Sequence, residues 1–393
     1  MKDYSSNWGL DSSFIFMNHG SFGACPVEVL KKQMQFRDRL ENEPVRFILR
    51  ELPGMIFDAL ERLAVFLGVE ATDIVFVPNV THGVNAVLRS IDLSPGDEIL
   101  TTNHEYFSCK NTVDLIAERS GARVVVADIP FPLESDDQVI EAILNKASAR
   151  TRIALIYHIT SPTALIFPVK RIVDELDSMG IDVLVDGAHA PGMIPLDIDD
   201  LGAHYYTGNF HKWLCSPKGA GFLYVRKDKQ QSIKPVVVSH VKSDFDTYLS
   251  SFQVEFYWTG TDDPTSYLCV PEAIEFLQGL CPDGLPGIMT RNHKLALGAR
   301  KVIMEALDLD PPCPDHMIGS MAALPLPDCD VKGPVPPDYF DPLQDKLFNE
   351  YNIEVPVIPW REMPGRVIRI SAFLYNNIEQ YEYLADILKR YFK

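Results

Sequence analysis

Two side chains in this sequence could do chemistry together. Asp186 opens the run Asp186-Gly187-Ala188-His189, directly after the apolar residues Val183, Leu184 and Val185. Lys212 sits in Asn209-Phe210-His211-Lys212-Trp213, between two apolar runs. A carboxylate at the end of a buried strand is costly unless a cation pairs with it. A lysine held in a dry turn should have a depressed pKa, which makes it a nucleophile toward an aldehyde and then a proton shuttle. One molecule satisfies both needs: a pyridine whose protonated nitrogen meets the carboxylate and whose aldehyde meets the amine. That is pyridoxal 5′-phosphate (PLP), carried as a Schiff base on Lys212.

Two further features fit the same ligand. Pro78-Asn79-Val80-Thr81-His82-Gly83 stands at a strand-to-helix junction, where free backbone N–H groups and the Thr81 hydroxyl suit a phosphate. Gly83 would let the backbone approach closely, and His211 could add a donor. Tyr106, at a strand end, could stack on the pyridine face. Singly, each is ordinary: a turn, a surface lysine, a helix cap, a core tyrosine. Their joint order carries the reading. His82, His104, His158 and His204 read as satisfied polar groups near a sheet edge.

The elements that must position these residues alternate. Residues 73–77, 98–101, 123–127, 153–157 and 181–185 read as buried strands. Residues 81–90 (with Thr81 as N-cap), 108–119, 136–146 and 169–179 read as helices between them. Such alternation implies an α/β fold with a mostly parallel sheet, whose ligands bind beyond the C-terminal strand ends. That places residues 78–81, 103–107, 158–160 and 186–189 at the rim. Strands at 204–207 and 221–225 flank the lysine turn. A helix is expected at 271–277, and residues 281–337 read as loop, interrupted by the apolar stretch 317–326. Then follow helix 343–351, strand 354–358, a turn at 362–365, strand 367–373 and helix 378–391, a compact α+β unit. We expect a large domain over 16–270 and a smaller one over 271–393 joined by residues 1–15.

Composition bounds the rest. With 46% hydrophobic and 23% charged residues, the 393-residue chain is an ordinary globular protein. Its net charge of −18 argues against nucleic acid as a partner. Seven scattered cysteines without a C-x-x-C pair argue for free thiols in a reducing compartment. The polar start of the chain has no apolar signal segment, and no apolar run is long enough for a membrane span, so a cytoplasmic location is expected.

The order Asn-Val-Thr-His-Gly, Asp-Gly-Ala-His-x-x-Gly, His-Lys-Trp, Trp-Thr-Gly-Thr, Arg-Ile-Ser resembles the class V aminotransferase family of fold-type I PLP enzymes. Met17-Asn18-His19-Gly20-Ser21-Phe22-Gly23 and Gly208–Trp213 resemble its isopenicillin N epimerase-like branch, with hercynylcysteine sulfoxide lyases close by. The resemblance implies PLP on Lys212, Asp186 at the pyridinium, His189 near the phenolic oxygen and Tyr106 stacked on the ring. It puts Thr81, His82 and His211 at the phosphate, with Thr261 reaching the phosphate of a neighbouring subunit in a homodimer with shared active sites. It puts Arg369 on the α-carboxylate of an amino-acid or peptide-like substrate, with His19 and Asn18 on the substrate side. Phe210 stands where many relatives carry a phosphate-binding serine, and Asn209 is the compensating candidate. Residues 360–365 lack the catalytic cysteine of one desulfurase subgroup, and Cys313 and Cys329 do not resemble the cysteine loop of another.

Proton removal from Cα by Lys212 would be common to three outcomes: epimerisation, loss of a β-substituent, or transamination. The local motifs favour amino-acid epimerisation. A C–S lyase acting on a cysteine conjugate is the near rival and cysteine desulfurase the weaker one. Epimerisation needs a donor on the second face, for which His19, Tyr106 and a group near Arg46 are candidates. A different class, a metal hydrolase using Asp186, His189, His204 and His211, has the right residue types but no ligand spacing, so no metal is expected.

Overall fold

The computed structural model describes residues 4–239, 249–329, 339–360 and 365–393. Most of the expected turn at residues 362–365, and residues 330–337 of the stretch expected as loop, lie outside the described residues.

A short strand β1 (Ile15–Phe16) precedes two long helices, α1 (Val27–Asn42) and α2 (Leu52–Leu67). Helix α2 ends on Gly68 at φ +67°, a left-handed cap that suits glycine. The α/β repeat follows: β2 (Ile74–Val77), α3 (Val80–Ser90), β3 (Glu98–Thr102), α4 (Phe107–Ser120), β4 (Arg123–Ala127) and α5 (Asp136–Leu144). It continues through β5 (Thr151–Tyr157), α6 (Val169–Ser178), β6 (Asp182–Gly187), β7 (Tyr205–Asn209) and β8 (Gly221–Val225).

These strands form one seven-stranded sheet in the order β2-β8-β7-β6-β5-β3-β4. β8 runs antiparallel to both its neighbours, and the other pairings are parallel. Strands β2, β3, β7 and β8 are buried along their whole length, while β4 at the edge is half open. This explains the continuous apolar runs: a strand covered on both faces has no solvent side to mark by alternation.

The remainder comprises α7 (Val270–Leu280), α8 (Gly284–Leu307), β9 (Met321–Leu326), α9 (Pro342–Tyr351), β10 (Ile353–Glu354), β11 (Val357–Pro359), β12 (Arg366–Ser371) and α10 (Ile378–Tyr391). Strands β11-β12-β9 make an antiparallel sheet, and β1 pairs with β10. The N-terminal segment is thereby tied to the C-terminal region.

Two expectations need correction. Residues 284–307 are not loop but a 24-residue helix. Its buried residues Leu285, Ile288, Leu295, Ala296, Ala299 and Ile303 keep helical spacing. Pro286 falls in the first turn, where a proline displaces no intrahelical bond, so the local Pro/Gly density misleads. Likewise Thr81 is not the N-cap of α3. Asn79 is, its side-chain oxygen accepting from the His82 N–H at 3.1 Å.

Candidate active site

Beyond the C-terminal ends of the parallel strands lies a cavity of about 300 Å3, to which all four expected rim segments contribute. Its lining includes Thr81, Tyr106, Asp186, His189, His211 and Lys212.

Lys212 projects from the turn between β7 and β8. Close backbone approaches fix that turn. A Cβ on Gly23 would stand 2.0 Å from the His211 carbonyl oxygen, and one on Gly192 would stand 2.6 Å from the Trp213 carbonyl carbon. Both glycines have positive φ, and Cys215, three residues after the lysine, is itself held at φ +57°. His19 holds the turn from a third side. Its Nε2 donates to the Lys212 carbonyl at 2.9 Å, Nδ1 accepts from the Tyr375 hydroxyl, and its ring stacks on Phe373 with centroids 4.0 Å apart. Burial lowers the His19 pKa to about 3, so the ring is neutral.

The amine is activated as expected. Burial, and then the charge of Arg369, lower the Lys212 pKa to about 7, against an opposing pull from Asp186. Nζ lies 3.0 Å from Nε2 of His189. The Trp213 indole N–H can only donate, and it meets Nδ1 of His189 at 3.4 Å. The neutral imidazole therefore carries its hydrogen on Nε2, directed at the lysine. Burial also holds the His189 pKa well below its usual value.

Asp186 ends β6, 3% exposed. Its Oδ1 accepts from the Ala188 N–H at 2.9 Å and its Oδ2 from the Cys109 thiol at 3.4 Å. Burial raises its pKa, while these hydrogen bonds and the Lys212 charge oppose the rise. An anion supported by one amide and one weak thiol donor calls for a further cationic partner.

At the opposite end, α3 is pressed against β7: a Cβ on Gly83 would stand 2.2 Å from Thr207 Oγ1. Asn209 accepts from the Val80 N–H at 3.0 Å and ties strand to helix start. Thr81 opens onto the cavity there. His211 Nδ1 is buried with no partner, and burial lowers that ring's pKa to about 4. Tyr106, the residue before α4, is 44% exposed and lines the cavity wall. A carboxylate, an amine of lowered pKa, a helix start beside an unpartnered ring nitrogen and a half-exposed aromatic ring are the kinds of group that would fit the pyridinium, aldehyde, phosphate and ring face of PLP.

Arg369, on the central strand β12, reaches the cavity rim from the smaller sheet. It donates to the carbonyl and hydroxyl of Ser161 and, at 3.0 Å, to the Ser21 hydroxyl. Its Nε is buried without a partner. Burial lowers its pKa to about 10, which leaves it cationic. Ser21 donates in turn to Asn18, and Asn18 to Glu354 at 2.9 Å.

Several expected site residues are placed elsewhere. Asn18 and His19 line no part of the cavity and act on Ser21 and on the Lys212 backbone. His82 is exposed and opens onto a separate apolar cavity of about 220 Å3, lined also by Phe76, Phe256, Trp258 and Gly260. Thr261, expected to serve a neighbouring subunit and not its own, is exposed and borders neither cavity of its own chain. Arg46 pairs with Glu51 at the surface. His104, His158 and His204 are bonded to Thr163, Tyr206 and the Val183 N–H. Among the described residues no group of three His, Cys, Asp or Glu side chains could hold a metal ion. No helix among them is long and apolar enough to cross a membrane, and Cys25, Cys109, Cys215, Cys269, Cys281 and Cys313 are free thiols. Ser21, Cys109, Tyr157, Ser161 and Lys218 also belong to the site or its support, and no spacing in the sequence marked them.

Residues 25–309 match the family model described as aminotransferase class-V. The chain is 33% identical to an isopenicillin N epimerase of Amycolatopsis lactamdurans, with 97% of this chain and 96% of that one covered. It is 31% identical to a probable chloroplastic L-cysteine desulfhydrase of Arabidopsis thaliana, covering 96% and 83%. Among solved structures, a C-DES mutant with glycine covalently linked to its PLP cofactor superposes with a TM-score of 0.78. The two share 20% identity over 96% and 97% of the chains.

Proposed function

Because the chain belongs to the class-V aminotransferase family and has the type I fold of PLP enzymes, we propose that it removes the α-proton of an amino acid at Lys212, with PLP as cofactor. When bound, PLP supplies an aldehyde for an amino group and a protonated ring that accepts the electron pair left at Cα. One observation carries this reading: the Lys212 amine, its pKa lowered to about 7, lines one cavity with Asp186 and His189, while Arg369 is bonded to Ser21 and Ser161 of the same lining.

The chain's residues divide the work. Arg369 binds the substrate carboxylate, its fork held by Ser21 and Ser161. Asp186 keeps the proton on the pyridine nitrogen. His189 presents its Nε2 hydrogen toward an oxygen anion beside Lys212. Lys212, about half of it free amine at pH 7, takes the Cα proton at Nζ. Tyr106, on the cavity wall, would stack on the ring when it is bound.

Of the possible outcomes, the geometry best supports loss of a β-substituent, that is, a C–S lyase acting on cysteine or a cysteine conjugate. Elimination needs one proton-transfer group, because Lys212 can return the proton to the departing sulfur. Lys212 shares the cavity with Asp186 and touches His189, so one amine can both take and return the proton. The likeness to an L-cysteine desulfhydrase supports this outcome. Epimerisation is the second reading. It has the 33% identity to an isopenicillin N epimerase in its favour, and the Tyr106 hydroxyl as the donor it would require on the opposite face.

The test is incubation with L-cysteine and S-substituted cysteines in deuterated water. The lyase reading expects pyruvate and ammonia in step with released thiol. Racemised substrate labelled at Cα, with no pyruvate, would replace it by epimerisation.

A further inference from the structure

We infer that Lys218 supplies the counter-charge for the cofactor phosphate, a role that rests on the proposal that this cavity holds PLP. A phosphate monoester carries a charge close to −2 at neutral pH. The groups so far placed at its end of the cavity bring no full positive charge. Thr81 is uncharged, and His211 is neutral with its pKa lowered to about 4. Lys212 is committed to the aldehyde, and Arg369 is engaged by Ser21 and Ser161 at the other rim. The start of α3 contributes only a partial charge.

Lys218 stands in the turn leading into β8 and lines the same cavity, with Asn79, Val80, Thr81 and His211. Its Nζ donates to the Gly23 carbonyl at 3.1 Å. That bond uses one of three ammonium hydrogens and aims the head group without neutralising it. Among the described residues it has no carboxylate partner. Its charge is near enough to depress His211 and His19. The position also answers the missing serine at Phe210. That ring is fully buried against Phe222 and turned away from the cavity, and Asn209 spends its oxygen on the Val80 N–H. An exposed cation tethered by a carbonyl, beside a helix start and an unpartnered His211 Nδ1, supplies the one full positive charge among the described residues at the phosphate end of the cavity.

The experiment compares two probes on cofactor-stripped protein: PLP and pyridoxal, which has the same aldehyde and ring but no phosphate. Affinity is read from the yellow absorbance of the Lys212-bound form. Lys218→Met should weaken PLP about ten- to hundredfold, the worth of one charge-assisted hydrogen bond, and leave pyridoxal unchanged. Lys218→Arg should restore PLP binding to within a few fold. PLP affinity of the wild type should fall with added salt more steeply than that of Lys218→Met. Equal weakening of both probes would overturn the inference and make Lys218 a structural tether for Gly23. Unchanged PLP affinity would overturn it outright. A wild-type protein that fails to turn yellow with either probe would instead defeat the proposed function.

Discussion

His189 presents a ring hydrogen to Lys212 across 3.0 Å, because the Trp213 indole occupies its other nitrogen. The lysine can accept that hydrogen only as a free amine. The contact and the lowered pKa of about 7 are thus two expressions of one arrangement.

A first expectation is chemical. Borohydride reduction of the PLP-loaded protein should fix the cofactor to the peptide carrying Lys212. Lys212→Ala should lose the yellow absorbance and α-proton exchange together. A label on any other lysine would remove the basis for the mechanism.

The second concerns the unliganded protein. A lysine whose pKa is lowered from 10.5 to about 7 on folding binds fewer protons in the native state than in the unfolded chain between those values. Its contribution to stability therefore rises with pH from 7 toward 10, and the full penalty applies below 7. Lys212→Met should stabilise the cofactor-free protein at pH 6 by on the order of 1–3 kcal/mol, discounted for water reaching the amine through the cavity. Urea unfolding should show that gain shrinking as pH is raised to 9. A constant difference would mean that the amine is not desolvated.

Asp186→Asn keeps the side chain's shape and removes its charge. Cofactor binding should survive, while α-proton exchange slows by roughly 10²- to 10³-fold, the usual loss when one preorganised electrostatic group is removed. Deuterium exchange at Cα, measured at saturating substrate, separates this from weaker binding.

Arg369→Lys retains a cation and loses the planar fork. The Ser21 and Ser161 contacts cannot both be kept, and kcat/KM should fall about ten- to hundredfold, mostly through KM. Serine replacement at Asn18, which positions Ser21 and does not line the cavity, should give a smaller change of the same kind.

Two glycines give a packing contrast. Gly83→Ala would drive a Cβ to 2.2 Å from Thr207 and should destabilise by about 1–3 kcal/mol. Gly54, in α2, has nothing within 4 Å, and Gly54→Ala should be neutral or stabilising by about 0.4–1 kcal/mol. Parallel denaturant titrations decide both.

The sequence by itself determined the parallel sheet, the rim segments and the placement of Asp186 and Lys212 at one cavity. Buried strands leave uninterrupted apolar runs, and α/β sheets place their ligand sites at fixed strand ends. Local composition misled at α8, where Pro286 and two early glycines hide a helix that buries one face from Leu285 to Ile303. It also assigned the cap of α3 to Thr81, since Asn79 and Thr81 are both good caps and only the backbone path separates them. Tertiary structure alone decided that His19 grips the Lys212 backbone, that Asn18 acts through Ser21, that Ser161 meets Arg369, and that Lys218 faces the start of α3. Except for Asn18 and Ser21, three positions apart, these relationships join residues more than a hundred positions apart and leave no periodicity in a chain.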